Sequence, residues 1–185
     1  MTDFSNLPIN SLVPENEDET NHLNNTKISN ISLPNQDGSL LRLDRTDTFR
    51  IVLYFFPMTG HPDRPLPDNW NNISGAKGCT LQTCSFRDNY DELVILNALP
   101  IGVSTQSIND LKEMTSRLKV PYDILSDENL MLKNELSLPS FLIKDKVYLK
   151  RLTLIIEKTI IKKVFYPIYS PDKHIIEILE WLKKN

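Results

Sequence analysis

Two cysteines, Cys79 and Cys84, are the residues of this chain whose type and spacing could do chemistry. They are the only cysteines among 185 residues, and they stand where a loop rich in Pro, Asn and Gly gives way to a helical pattern. A thiol reacts as its thiolate, and a free cysteine with a pKa of about 8.5 is only slightly ionised at neutral pH. Cys79 follows Gly78 at the predicted helix start, where unpaired backbone N–H groups and the helix dipole favour an anion. Cys79 is therefore predicted to be the better nucleophile, and Cys84 the more buried thiol.

The spacing of the two cysteines also restricts how they can react with each other. On a helix, positions five apart are separated by about 7.5 Å along the axis and face different directions. A disulfide requires Cα atoms closer than roughly 6.8 Å. A bond between Cys79 and Cys84 would therefore require the first one or two helical turns to unwind. The alternative is that both are ordinary small buried residues, because free cysteine is commonly buried and inert.

The rest of the sequence predicts the elements that must position these thiols. The apolar runs 51–56 (IVLYFF) and 100–104 (PIGVS) are typical of strands that are buried on both faces in a parallel sheet. A hairpin is predicted around Asp37 and Gly38, with strands at 27–33 and 39–43. Further strands are predicted at 122–125, 141–143, 147–156 and 159–166, and helices at 79–94, 107–118 and 128–136 and from Pro171 onward.

This alternation of strands and helices predicts an α/β fold. Its centre is a mixed, largely parallel sheet with right-handed crossovers and helices on both faces, preceded by the N-terminal β-hairpin. The length favours one domain over 27–185, after a polar arm at 1–26 that is predicted to be flexible or loosely docked.

Composition restricts the classes of function. The net charge of −3, with scattered Lys and Arg, argues against a nucleic-acid partner. No apolar run reaches the roughly 18 residues of a membrane span, and no secretory signal is recognised, so a cytoplasmic location is expected. The three histidines, His22, His61 and His174, are far apart in sequence, and a zinc site is therefore not expected.

Several segments together resemble the peroxiredoxins of the AhpC/TSA superfamily. The likeness is greatest to the bacterioferritin-comigratory or peroxiredoxin Q type, an atypical 2-Cys group with both cysteines on one helix. The resemblance covers about residues 28 to 183 and implies a thioredoxin-like fold. The matching segments are LPNQDG at 33–38, VLYFFP at 52–57, GCT at 78–80, CSFRD at 84–88, IGVST at 101–105 and LSD at 125–127.

The resemblance implies a thiol-dependent peroxidase that reduces hydrogen peroxide or organic hydroperoxides. Cys79 would be the peroxidatic cysteine, which forms a sulfenic acid, and Cys84 the resolving cysteine, which closes an intramolecular disulfide. Arg151 stands where the family has an arginine that holds the thiolate and orients the peroxide. A thioredoxin- or glutaredoxin-type donor would return the electrons, and no metal, haem or flavin is implied. The chain is expected to be a monomer or a weak homodimer without membrane partners.

The active-site loop departs from the family pattern of Pro, three residues, Thr or Ser, two residues, Cys. Here Ala76 stands three positions before Cys79, and 61–77 looks like an insertion after the strand-end proline. A hydroxyl that bonds the peroxide is therefore missing from its usual place. Thr59 is the predicted substitute, and Ser74 is the second candidate.

Two other functions remain open. A thioredoxin-fold disulfide oxidoreductase usually employs a Cys-x-x-Cys motif, which this chain lacks. A low-turnover peroxide sensor or binding protein would follow if Ala76 and the insertion weaken turnover. Trp70, inside the insertion, would either pack against the domain, the more frequent fate of such a side chain, or close over the site.

Overall fold

The structure is a computed structural model of the chain, and it describes residues 16–44 and 49–185. Short 3-10 helices occupy Glu17–Leu23 and Trp70–Asn72. The strands are β1 (Ser32–Pro34), β2 (Leu40–Arg42), β3 (Arg50–Phe55), β4 (Ala98–Ser104), β5 (Ile124–Ser126), β6 (Ser140–Ile143), β7 (Lys146–Leu149), β8 (Leu152–Glu157) and β9 (Ile160–Phe165). The α-helices are α1 (Cys79–Asp88), α2 (Tyr90–Ile95), α3 (Ile108–Leu118), α4 (Met131–Glu135) and α5 (His174–Lys184).

Five of these strands form the central sheet, in the spatial order β5-β4-β3-β8-β9. β4 runs parallel to β3 and β5, whereas β8 runs antiparallel to β3 and β9. β3 lies at the centre because its six residues, RIVLYF, are apolar after Arg50 and suit a strand covered on both faces. The predicted α/β fold with a mixed central sheet is confirmed.

The alternation of side chains along β3 divides the core into two halves. Val52 and Tyr54 point to the face that is packed with residues of α1, α2, α3 and α5. Ile51 and Leu53 point to the opposite face, which α4 and the N-terminal segments cover. Period-two alternation in a strand places successive side chains on opposite faces. α1, which carries both cysteines, therefore packs on one face of β3 together with α2, α3 and α5.

The N-terminal segments cover the sheet face opposite α1. β1 and β2 pair antiparallel, as the predicted hairpin requires, although each has only three strand residues. In the predicted arm, residues 16–26 contain the first 3-10 helix, and Leu23 in that helix is fully buried. Glu19 forms an ion pair of 2.9 Å with Lys150. Residues 16–26 therefore pack against the domain, while residues 1–15 of the predicted arm lie outside the described residues.

The prediction of one strand over 147–156 is wrong, because two separate strands occupy this range. β7 ends at Leu149 and pairs with β6 in a separate two-stranded sheet, whereas β8 begins at Leu152 and joins the central sheet. The chain passes from one sheet to the other at Lys150 and Arg151. This break places Arg151 directly before the first residue of β8 instead of inside a strand.

Helix boundaries also differ from the prediction, and the helix predicted at 128–136 is confined to α4 (Met131–Glu135). The helix predicted at 79–94 is broken at Asn89, whose side-chain Nδ2 donates 2.8 Å to the carbonyl of Ser85. Side-chain bonds of this kind compete with the helical pattern. The helix predicted from Pro171 begins instead at His174, after a turn in which the Ser170 carbonyl accepts from the His174 amide.

Candidate active site

Cys79 is the first residue of α1, as the sequence predicts. Gly78 before it has φ +91°, and a Cβ there would lie 2.6 Å from Cγ of Pro171, so both conformation and space require glycine. The Cys79 side chain is only 3% exposed, and its Sγ donates 3.5 Å to the carbonyl of Ala76. The first N–H groups of a helix have no intrahelical partner. The thiol therefore lies where backbone groups favour an anion.

Arg151 reaches this thiol from the break between β7 and β8. Its Nη2 lies 3.3 Å from Cys79 Sγ and also donates to the carbonyls of Lys77 at 2.8 Å and Gly75 at 3.1 Å. Its Nη1 donates to Oε1 of Gln82. The structure thus brings together two of the predicted site residues, Cys79 and Arg151, and fixes the guanidinium with the loop that precedes α1.

Gln82 is a site residue that the sequence prediction missed. It is fully buried, and it follows Cys79 by three positions, a spacing that places two side chains on the same side of a helix. That spacing was the signal in the sequence, but its partner Arg151 is 69 residues away and only the fold joins them.

Thr59 lies apart from these contacts. Its backbone N–H donates 2.8 Å and its hydroxyl 3.3 Å to Oε1 of Gln106, whose Nε2 returns a bond to the Thr59 carbonyl. No described hydrogen bond joins Thr59 to Cys79 or Arg151. The Thr59 hydroxyl, which was predicted to substitute for the hydroxyl missing at Ala76, is thus hydrogen-bonded to the carboxamide of Gln106.

Two cavities flank the Cys79–Arg151 pair. One of about 270 Å³ is bordered by Cys79, Leu81 and the insertion residues Leu66 and Trp70. The other, of about 420 Å³, is bordered by Arg151 and by Ser74, the second hydroxyl candidate, along with Ile73, Leu81, Ile168 and Tyr169. The first cavity therefore leads to the thiol and the second to the guanidinium.

Trp70 packs against the domain, as predicted. Its ring lies 5.2 Å from that of Tyr148 and 6.1 Å from that of Phe141, in the β6–β7 pair. The same side chain forms part of the wall of the Cys79 cavity. The insertion therefore contributes to the shape of the site through an anchored aromatic residue.

A pair of buried tyrosines holds α1 between its two cysteines. The Tyr122 hydroxyl donates to the carbonyl of Thr83 at 3.0 Å and lies 3.0 Å from the Tyr54 hydroxyl. The Tyr54 hydroxyl in turn donates to Thr83 Oγ1 at 3.4 Å. Burial raises the pKa of Tyr54 above its usual range, and the nearby thiols of Cys79 and Cys84 add to this rise. The hydroxyls of Tyr54 and Tyr122 therefore stay protonated, and their hydrogen bonds to Thr83 hold the middle of α1 in place.

Cys84 is half-buried whereas Cys79 is buried, so the prediction that Cys84 is the more buried thiol is wrong. Both cysteines are free thiols in this structure. Beyond Cys84, the Ser85 hydroxyl donates 3.0 Å to the carbonyl of Asp172, and Arg87 donates 2.7 Å to the carbonyl of Leu118. Arg87 also forms an ion pair of 2.8 Å with Asp88. The C-terminal half of α1 is thereby tied to the segments around it.

Within residues 16–44 and 49–185, no group of three or more His, Cys, Asp or Glu side chains is arranged to hold a metal ion. No helix in the same ranges has both the length and the apolar character that crossing a bilayer requires.

The AhpC/TSA family model matches residues 71–164, which is half of the chain and includes both cysteines and Arg151. Peroxiredoxin Q, chloroplastic, from Oryza sativa subsp. japonica is 29% identical over 155 residues, which cover 83% of this chain and 64% of the rice protein. The protein of the same name from Arabidopsis thaliana is 29% identical over 153 residues, covering 82% of this chain and 63% of the plant protein. The chain thus spans less than two thirds of the length of these relatives.

Solved structures share the fold. The peroxidoxin BcpB of Mycobacterium tuberculosis superimposes with a TM-score of 0.72 at 23% identity, covering 87% of this chain and 96% of that one. A cysteine-to-serine mutant of PrxQ from Xylella fastidiosa gives a TM-score of 0.69 at 18% identity, covering 86% and 94%. These likenesses confirm the predicted thioredoxin-like fold.

His174 is the neighbour of this site whose protonation should affect folding. It is 2% exposed, and its Nε2 lies 3.0 Å from the hydroxyl of Thr153. Burial, with the charge of Arg151 as a second cause, lowers the pKa of His174 from 6.5 to about 4. The Glu177 carboxylate, 3.4 Å from Nδ1, is exposed and does not offset this effect.

Acid should therefore destabilise the protein through His174. Between pH 6.5 and 4 the unfolded chain binds more protons at this position than the folded chain, so stability is present above pH 6.5 and falls toward pH 4. We expect wild type to lose roughly 3 kcal/mol more than His174→Gln between pH 7 and 4. Urea unfolding of both proteins at several pH values measures this difference, and parallel pH profiles would contradict the assignment.

Proposed function

We propose that this chain, which belongs to the AhpC/TSA family, is a thiol-dependent peroxidase that reduces hydrogen peroxide or organic hydroperoxides. The observation that carries the proposal is the distance of 3.3 Å between Arg151 Nη2 and Cys79 Sγ at the start of α1. A guanidinium beside a thiol at a helix N-terminus stabilises the thiolate, which is the nucleophile.

In the first step, the Cys79 thiolate attacks the terminal peroxide oxygen and the O–O bond breaks. The sulfur forms a sulfenic acid, and the remaining oxygen leaves as alkoxide or hydroxide, which takes up a proton to become an alcohol or water. Arg151, fixed by the carbonyls of Gly75 and Lys77, can donate to the oxygen on which negative charge develops. This role requires the guanidinium to be in place before the peroxide arrives.

In the second step, the Cys84 thiol displaces the hydroxyl of the sulfenic acid, forming a disulfide and releasing water. Cys79 and Cys84 occupy one continuous helix, so the helix must unwind for the sulfur atoms to meet. The bonds from Tyr122 and Tyr54 to Thr83 oppose that unwinding. Resolution is therefore coupled to local opening of α1.

In the third step, a dithiol donor of the thioredoxin or glutaredoxin type attacks the Cys79–Cys84 disulfide. Exchange through a mixed disulfide returns both cysteines to thiols and leaves the donor oxidised. The cycle uses side chains of this chain, the peroxide and the donor. The cytoplasmic location and the monomer or weak homodimer stay predictions from the sequence.

A low-turnover peroxide sensor is the second candidate. The position three before the thiol is Ala76, which offers Cys79 Sγ a backbone carbonyl in place of a hydroxyl, and Thr59 is engaged by Gln106. A site that oxidises once and is reduced slowly would fit these contacts. Steady-state turnover distinguishes it from a peroxidase.

The proposal is tested by peroxide consumption with a thioredoxin system as the reductant. Cys79→Ser should abolish turnover, because serine cannot form the sulfenic acid, whereas Cys84→Ser should still be oxidised once by peroxide but recycle slowly. Mass spectrometry after one equivalent of peroxide should find an intramolecular Cys79–Cys84 disulfide in wild type. Equal peroxide consumption by wild type and Cys79→Ser would refute the peroxidase, and a disulfide-linked dimer would refute the local-opening step.

The tyrosine pair should control how fast the disulfide forms. Tyr122→Phe removes the bonds to Thr83 and Tyr54 while keeping the ring, so opening of α1 should cost about 1–2 kcal/mol less and disulfide formation should be roughly tenfold faster. Rapid quenching with an alkylating agent after one equivalent of peroxide measures that rate.

The matched control for this substitution is Tyr148→Phe. Tyr148 is also a buried tyrosine, but it stacks on Phe141 and packs edge to face against Trp70, outside α1. The Tyr148→Phe protein should form the disulfide at the wild-type rate. A Tyr122→Phe protein that folds normally and forms the disulfide no faster than the control would show that these bonds do not limit opening.

A further inference from the structure

Lys150 and Arg151 stand at the crossing between the two sheets, where the strand pairing is interrupted. The register of β7 with β6 ends at Leu149, and that of β8 with β3 begins at Leu152. The Lys150 amide donates 2.9 Å to the carbonyl of Pro139. The position of the Arg151 backbone therefore depends strongly on what holds its neighbour Lys150.

The Lys150 side chain is bonded to the N-terminal segment. Its Nζ donates to both carboxylate oxygens of Glu19, at 2.9 and 3.1 Å. Arg151, the next residue, instead reaches Cys79 of α1. One short piece of backbone is thus held from two directions, by Glu19 through Lys150 and by the thiol through Arg151.

Tyr166 completes this cluster from the end of β9. Its hydroxyl donates 2.9 Å to Glu19 Oε2 and accepts from Lys150 Nζ at 3.4 Å. Partial burial opposes the charge of Glu19, but the hydrogen bonds from Lys150 and Tyr166 outweigh it and lower the pKa of Glu19. Two and three residues after Tyr166, Ile168 and Tyr169 border the larger of the two cavities, of about 420 Å³. The ionised Glu19 therefore ties together two chain segments that border this cavity.

Glu19 is itself fixed, because its segment is docked on the domain. Leu23, four positions further on, is fully buried. The Asn25 amide donates 3.1 Å to the carbonyl of Ile161 in β9, and the Ile161 amide returns a bond of 2.9 Å to the carbonyl of Thr26. Glu19 is therefore anchored to the body of the protein.

We propose that Glu19 is a positioning residue that, through Lys150, holds Arg151 at the distance at which its guanidinium stabilises the Cys79 thiolate. The inference rests on the proposed function, in which Cys79 is the attacking thiol. Glu19 lies outside residues 71–164, the range that matches the family model, so the N-terminal segment contributes this support. Without the carboxylate the crossing can shift, and small displacements of a stabilising group are costly to a reaction.

The test is the pH profile of Cys79 alkylation by iodoacetamide in Glu19→Met, in a Cys84→Ser background so that one thiol reacts. Loss of positioning should move the midpoint to higher pH by about half a unit or more, which slows alkylation below the midpoint about threefold. Loss of the negative charge alone would move the midpoint to lower pH, because it favours the thiolate. An unchanged or lower midpoint would overturn the proposal.

The other titratable groups near the site do not account for such a shift. Burial lowers the pKa of His174 in α5 and raises that of Tyr54 in β3, so neither side chain changes charge near neutral pH. Lys77 and Asp172, which border the larger cavity, are the same in every variant.

The matched control is Glu92→Met. Glu92 forms an ion pair of 2.8 Å with Lys183, which joins α2 to α5 and does not border either cavity. Its removal should leave the alkylation midpoint in place. Equal midpoint shifts in Glu92→Met and Glu19→Met would remove the assigned role.

A double-mutant cycle tests whether Glu19 acts through Lys150. Glu19→Met and Lys150→Met should each slow the oxidation of Cys79 by peroxide about tenfold, and the double variant should be no slower than the slower single variant. Effects that multiply would show that the two residues act separately. Urea unfolding midpoints check folding, and if Glu19→Met does not fold, Tyr166→Phe, which loosens the same carboxylate without a change of charge, should shift the alkylation midpoint in the same direction.

Alkylation does not depend on peroxide turnover, so the two proposals fail separately. If wild type does not consume peroxide but Glu19→Met raises the alkylation midpoint, the peroxidase falls and the role of Glu19 stands. If wild type turns over and the midpoint does not rise, the peroxidase stands and the role of Glu19 falls.

Discussion

The contact between the Arg151 guanidinium and the Cys79 sulfur is the interaction on which the rest of the site depends. Arg151 is 3% exposed, and removing a charge from water costs several kcal/mol unless good partners replace the solvent. The chain supplies those partners from three places: the carbonyls of the loop before α1, the Gln82 side chain and the thiol itself. The fold positions Arg151 for them because β7 and β8 belong to different sheets and the chain crosses between them at this residue.

In the proposed cycle, α1 has two opposing requirements. It holds Cys79 in place for the first step, and it unwinds locally for the second. The start of α1 is fixed by the close packing of Gly78 on Pro171 and by the hydrogen bond between Gln82 and Arg151. The middle of the helix is fixed by the hydrogen bonds from the buried tyrosines to Thr83. These bonds keep the two thiols apart, which suits the proposed attack on peroxide and opposes the proposed disulfide. In the proposed cycle, oxidation of Cys79 replaces a thiolate by a neutral sulfenic acid, which weakens its attraction to Arg151 and so removes one of the restraints on unwinding.

Local sequence patterns predicted the elements and the reactive thiol. The apolar runs of β3 and β4 and the Gly78-Cys79 helix start are signals within a few residues, and they matched the structure. The likeness to a known family predicted Arg151, whose long-range contact no local pattern contains. The family assignment is confirmed by the match over residues 71–164.

Long-range contacts account for what the sequence did not reveal. The strand break at Lys150 depends on which sheet each half joins, and the partner of Thr59 is Gln106, 47 residues further on. Gln82 was visible as a polar residue three positions after a cysteine, but its contact depends on Arg151, which the break between β7 and β8 brings to α1. The insertion gave no periodic signal, yet Trp70 anchors it between the β6–β7 pair and the thiol cavity.

The most direct test of this account is the rate at which peroxide oxidises Cys79 when Arg151 is replaced by Met, which keeps the length of the side chain and removes its charge. A single-turnover stopped-flow measurement on the reduced protein gives this rate without the donor. The account predicts a fall of about a hundredfold or more relative to wild type, because a donor to the developing charge is lost. A rate within a factor of about two of wild type, in a variant that folds normally, would contradict the central role of the Arg151–Cys79 contact.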